Sequence, residues 1–124
     1  IAVVLFGPEG RGSFNESGWQ GAERARAAGH TLDVHWIAPL DGEQRADALR
    51  ALCAQGLDLL VAHGGQGDVP VGRVATEFPH TRFAITQGHF LSPNTACYEV
   101  LQEHSAFLAG VLAGLASQTR VVAT

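Results

Sequence analysis

Lysine is missing from this chain, and all eight basic residues are arginine. That removes a phosphate-loop lysine and a Schiff-base lysine from the chemistry open to it. Twelve acidic residues outnumber the arginines and leave a net charge of -4, so no concentrated basic face is expected and nucleic acid is not a predicted partner. Methionine is also missing, and the chain opens inside an apolar run, Ile1 to Phe6. The expectation is that a segment was removed upstream, a signal peptide if the protein is exported. Only two cysteines occur, Cys53 and Cys97, without the C-x-x-C spacing of a redox or zinc site. Both have apolar neighbours, in segments that read as a helix and a strand, and read as buried free thiols in preference to a disulfide. The uncharged stretch Ser105 to Gln118 falls short of the roughly 20 apolar residues of a membrane span, and the segment reads as soluble.

What is present is a chain of 124 residues, 46% of them hydrophobic, enough to bury one core and form one domain. Apolar runs alternate with helical patterns. Ile1 to Phe6 ends in Gly7-Pro8, as a strand buried on both faces would. Ser13 and Glu16 have capping-box spacing ahead of a helix that Gly29 closes. A strand over Leu32 to Ile37 and a helix from about Glu43 to Gln55 follow, the latter stopped by Gly56. Leu57 to Ala62 is predicted as the third strand. Asp68 and Pro70 fit the cap and first turn of a helix ending near Phe78-Pro79. Arg82 to Thr86 and Ala96 to Val100 read as strands, Glu103 to Ala116 as a helix and Arg120 to Thr124 as the start of one more strand. This order predicts an α/β fold with a doubly wound parallel sheet and right-handed crossovers.

Ligands on such sheets bind beyond the carboxyl ends of the strands. Four loops lie there: Gly7 to Ser13, Ala38 to Gly42, His63 to Asp68 and Gln87 to Asn94. Glycine is densest in the first and third, which suits close approach of backbone to a ligand. Gly7, Gly10 and Gly12 lack the G-x-G-x-x-G order, and no G-K-[ST] follows. His63-Gly64-Gly65 resembles an esterase oxyanion loop, yet no G-x-S-x-G elbow exists. The six histidines have no metal-site spacing, so neither a metal nor a cofactor is expected. An acid-base pair could come only from His63 with Asp68, or from His89; no catalytic residue is assigned. Ala106, Gly110 and Gly114 recur every four residues, as expected of a helix lying close on the sheet with Phe107, Leu108, Val111, Leu112 and Leu115 in the core.

Several segments then carry a resemblance. Ser13-Phe14-Asn15-Glu16-Ser17-Gly18-Trp19-Gln20-Gly21 is similar to the S-F-N-x-x-x-W-x-G signature of the basic membrane protein family of substrate-binding lipoproteins. Gln55-Gly56-Leu57-Asp58-Leu59-Leu60-Val61 resembles that family's Q-G-Y-D-L-I. Glu77-Phe78-Pro79-x-Thr81-x-Phe83-Ala84-Ile85 resembles its E-Y-P-x-x-K-F-A-I. Pro93-Asn94-Thr95-Ala96, with Glu103-His104-Ser105-Ala106-Phe107-Leu108-Ala109-Gly110-Val111-Leu112-Ala113-Gly114, resembles P-N-V-x and E-x-x-(G/S)-F-L-A-G-x-L-A-G. The matches span nearly the whole chain in order.

The resemblance implies the N-terminal lobe of a type I periplasmic-binding-protein-like clamp: residues 1–117 as a Rossmann-like ligand-binding lobe, residues 118–124 as the crossover and first strand of a second lobe. It implies an extracytoplasmic, lipid-anchored protein that passes a nucleoside-like ligand to an ABC importer permease without being an enzyme. By position Phe14 would stack on a nucleobase, Ser13 and Asn15 would be polar contacts, and Gly64, Gln66 and Gln87 would line the site; a hydrophobic staple is the other assignment open to Phe14. Three positions depart from the family. Phe6 and Gln87 replace aspartates at the ends of the first and fourth strands, and Arg11 stands where an Asp is common. Losing carboxylates removes acceptors for base N–H and ribose hydroxyl groups, whereas Arg11 could meet a carboxylate or phosphate, or remain a solvated surface residue. A lone lobe should bind weakly and self-associate through the face that a second lobe would cover. The alternative is a ligand-sensing domain of a regulator or receptor with the same fold.

Overall fold

The structure, a computed structural model, describes residues 1–10, 14–38, 41–119 and 121. Five parallel strands stand in the order β2-β1-β3-β4-β5, with β1 Ala2–Phe6, β2 Asp33–Ile37, β3 Leu59–His63, β4 Arg82–Thr86 and β5 Thr95–Tyr98. Helices α1 Phe14–Ala27, α2 Gly42–Cys53, α3 Asp68–Val74 and α4 Gln102–Ala116 connect or follow them. All five residues of β1 are buried, as the uninterrupted apolar run requires of a central strand. Strand alternation divides its side chains between two clusters. Val4 and Phe6 join Leu60, Ala62, Phe83 and Ile85 against Leu49 and Cys53 of α2 and Val71 and Val74 of α3. Val3 and Leu5 face the other way, against Ala22 of α1 and Leu32.

Local chemistry sets the ends of the elements. Asp41 caps α2 by accepting from the Glu43 and Gln44 amides, while the Gln44 side chain accepts from the Asp41 amide. Gly56 follows α2 with φ +80, a conformation that glycine adopts without strain. The Ser13 cap expected for α1 lies outside the described residues. Asp68 is not a cap: α3 begins at Asp68 itself, its N-cap is Gly67, and the Asp68 carboxylate instead accepts from the amides of His89 and Phe90. The third helix also ends at Val74, short of the predicted Phe78. Asn94 explains the difference. Its amide nitrogen donates to the carbonyls of Ala75, Phe78 and Thr81, organising that segment as a loop around one side chain.

The largest departure from expectation is α4. None of its residues is buried, and Phe107, Leu108, Val111, Leu112 and Leu115 are 46% to 81% exposed instead of forming core. The helix follows β5 after three residues and stands away from the sheet. Apolar patterning says that a helix must be covered and does not say by what. Beside α1, meanwhile, a groove of about 430 Å³ lies open on the sheet, lined among others by Val3, Gly21, Ala25, Leu59 and Val61. Of the strand predicted from Arg120, only Val121 is described, and it is exposed. No helix among the described residues is long and apolar enough to cross a membrane.

Candidate functional site

The carboxyl ends of β1, β3 and β4 converge with the first turn of α1. Gly7 leaves β1 with φ +132 and its amide donates to the Ile37 carbonyl at 2.6 Å. The Asn15 side-chain amide donates to the Phe6 carbonyl at 2.8 Å, tying the start of α1 to the end of β1. Asn15 thereby positions its neighbour Phe14, the first residue of α1, whose ring is 46% exposed. The buried side of that ring lies on the imidazole of His63, with centroids 4.4 Å apart and an interplanar angle of 14°. This is a parallel aromatic stack.

Hydrogen bonds hold the imidazole in place. The Gly64 amide donates to Thr86 Oγ1 at 2.9 Å, and the same oxygen lies 3.1 Å from His63 Nδ1. His63 Nε2 lies 3.2 Å from the Phe14 carbonyl. The Phe14 carbonyl can only accept, so Nε2 carries a proton and donates to it. Nδ1 of the neutral ring then accepts from the Thr86 hydroxyl. Strand register supplies the geometry, since His63 pairs with Thr86 across β3 and β4 and with Leu5 across β3 and β1. Gly18 is the matching device on α1: a Cβ there would stand 2.5 Å from His63 Cδ2 and 2.8 Å from Leu5 Cδ2.

The rest of the rim is built from backbone. Gly64 has φ +110, and a Cβ on it would meet Phe14 Cε1 at 3.5 Å and Gln66 Oε1 at 2.5 Å. Gly64 therefore lies against Phe14, with the exposed Gln66 beside it. Gln87, at the end of β4, has φ 61, which side chains other than glycine rarely adopt. Its amide donates to the Tyr98 carbonyl, and its own carbonyl lies so close to Gly65 that a Cβ there would come within 2.7 Å. Such strain concentrates where surrounding structure holds a functional conformation.

The structure thus brings Phe14, Asn15, Gly64, Gln66 and Gln87 to one end of the sheet. Phe6 does not join them as a side chain: its ring is 6% exposed and packs in the core beneath Gly67, under the Arg45 guanidinium at 5.9 Å. The alternation of β1 turns Phe6 toward α2 and α3, so only its carbonyl serves the rim. Arg11 and Ser13 lie outside the described residues. The acid-base pair of His63 with Asp68 does not form, since Asp68 is held by the His89 and Phe90 amides and His63 by Thr86. Among the described residues, no group of three His, Cys, Asp or Glu side chains could hold a metal ion. Both cysteines are free, as expected, but only Cys53 is fully buried; burial pushes its thiol up to about 11.

Composition alone gave no hint of three of these residues as a set. His63, Thr86 and Gly18 are far apart in sequence, and only the parallel register brings them together.

Comparison with known proteins agrees with this architecture. Residues 1–123 match the family described as PnrA-like ABC transporter substrate-binding proteins. An uncharacterized lipoprotein of Pyrococcus furiosus is 31% identical over 116 residues, covering 90% of this chain and 29% of the relative. The chain therefore spans less than a third of that protein's length. An ABC transporter solute-binding protein of Aeropyrum pernix superposes with a TM-score of 0.75 at 30% identity, over 91% of this chain and 32% of the other. One from Conexibacter woesei gives 0.73 at 33% identity, over 92% and 40%. The family that the sequence segments resemble is the one matched, and the chain belongs to it: the PnrA-like, or basic membrane protein, family of ABC transporter substrate-binding proteins.

Proposed function

We propose that residues 1–117 are the first lobe of a two-lobed extracytoplasmic solute-binding protein, with residues 118–124 leading into the second. The protein captures a flat, nucleoside-like small molecule and presents it to an ABC importer. The observation that carries this reading is Phe14, a residue held at the carboxyl ends of the strands, stacked on His63 and 46% exposed. An aromatic face contributes about 1 to 3 kcal/mol for each stacked base. Gln66, exposed beside the ring, supplies a donor and an acceptor, while Gln87 at the same end of the sheet donates its amide nitrogen to the Val100 carbonyl at 3.4 Å. Without the carboxylates that Phe6, Arg11 and Gln87 replace, the polar half of the ligand is not fixed as a purine nucleoside, and Arg11 suits an anionic substituent. The relatives are named lipoproteins, which supports a lipid anchor on the full-length protein. Binding here involves no turnover.

The test is a thermal-shift and calorimetric screen of the two-lobed protein against nucleosides, nucleobases and small anionic metabolites, since a bound ligand stabilises the native state by mass action. A nucleoside that raises the melting temperature is the expected hit. An anion whose binding is lost in Arg11→Ala would keep the fold and overturn the substrate. Silence across the panel would favour a ligand-sensing domain built on the same lobe.

A further inference from the structure

We propose that His63 is the positioning residue of the ligand platform: it backs the inner face of Phe14 and fixes the ring at the angle at which a flat ligand stacks on the outer face. This rests on the reading of Phe14 as that platform. Three observations, on α1 and β4, converge on the imidazole. The stack itself is parallel and close, 4.4 Å between centroids at 14°, so His63 and Phe14 are the inner two layers of a three-layer stack whose outer layer is the ligand. The imidazole cannot turn freely, because Thr86 Oγ1 meets Nδ1 and the Phe14 carbonyl meets Nε2. The second of these bonds returns to the residue being positioned: His63 holds Phe14 by ring and by backbone at once. Finally, α1 carries glycine at position 18, where any Cβ would collide with the imidazole. The helix that presents Phe14 thus leaves the space that the His63 ring fills.

An unbacked Phe14 would be a ring in solvent with free χ rotation, and the ligand would have to order it on binding. Backing the ring in advance removes that cost. Stacked aromatic pairs contribute enough to predict a three- to ten-fold effect, about, on affinity.

The experiment uses the two-lobed protein with 4-fluorophenylalanine incorporated at position 14, read by 19F NMR, together with calorimetric titration of adenosine and inosine. In His63→Ala the fluorine resonance shifts and broadens as the ring loses its neighbour, and the nucleoside dissociation constant rises about three- to ten-fold. His63→Phe, which keeps a flat ring on the inner face, recovers most of the affinity. Should His63→Ala fail to fold, Thr86→Val removes the hydroxyl that orients the imidazole and gives a smaller change of the same sign. A wild-type resonance and wild-type affinity in His63→Ala would overturn the proposal. So would a changed resonance with unchanged affinity, since the ring would then move without consequence. Failure of the underlying reading looks different: the wild-type protein binds neither nucleoside, or Phe14→Ala leaves binding intact, whatever His63 does to the spectrum.

Discussion

The two faces of the sheet are finished differently. Against one face α2 and α3 close a continuous core in which Leu49, Leu60, Val71, Val74 and Ile85 have no exposure. Against the other, among the described residues, only α1 is laid down, the buried cluster shrinks to Val3, Leu5, Ala22 and Leu32, and an apolar groove stays open beside Leu59 and Val61. α4, apolar from Ala106 onward, has no buried residue on either face. Stability therefore comes mainly from one side of β1, while the thinner side carries α1, Phe14 and the stack on His63. The part of the lobe that meets ligand is built on the face with less packing behind it, and it compensates with hydrogen bonds and close glycine contacts.

The comparison can be broken most sharply with neighbouring residues of β3, which point to opposite faces. Leu60→Ala should lower stability by about 2 to 5 kcal/mol, because it empties a closed core, whereas Val61→Ala on the open face should cost less than half as much. Urea denaturation of both variants decides, and equal losses would mean that the second face is covered in solution. Gly67→Ala comes next. Its Cβ would stand 2.6 Å from the Ala62 Cβ and 3.2 Å from the Phe6 ring, and such overpacking costs about 1 to 3 kcal/mol, read as a shift of the urea midpoint.

Leu112→Ser should change stability by no more than about 0.5 kcal/mol, since an exposed side chain loses no packing. The same substitution should reduce self-association in light scattering, because the uncovered apolar side chains of α4 are what a second copy would bury. A loss as large as that of Leu60→Ala would show α4 to be packed. The smallest effect belongs to the surface network in which Arg50 of α2 bridges Glu77 by three hydrogen bonds, two from Nε and one from Nη2. The Arg50 guanidinium holds the Glu77 carboxyl below its ordinary value of 4.5. A lowered folded value means stability that is complete above 4.5 and lost as pH falls through the lowered value. Glu77→Gln should flatten that acid limb slightly, solvent screening keeping the change small; urea midpoints measured across acid pH check it.

The α/β alternation was legible because apolar runs and helical patterns are bounded by glycine or proline, as at Phe6-Gly7-Pro8 and at Gly56. Phe14, Gly64, Gln66 and Gln87 were legible through loop position and family segments. Phe6 was misplaced because a residue at a strand end can face either side, and only the register of β1 turns it inward. Asp68 and Asn94 were hidden for another reason. Each uses its side chain to bind backbone far along the chain, and local patterns are silent about such bonds. The fate of α4 was equally unreadable, since an apolar helix looks the same whether or not its cover is present.

The most direct test of the central claim, that Phe14 is the surface on which the ligand rests, is calorimetric titration of the two-lobed protein and its Phe14→Ala variant with the nucleoside that gives the largest thermal shift. Loss of one stacked ring predicts weakening of at least five-fold, roughly, with only a small fall of the urea midpoint, because the residue is 46% exposed and the packing it loses is mainly its stack on His63. Equal affinity in the two proteins would contradict the account and move the ligand away from this end of the sheet.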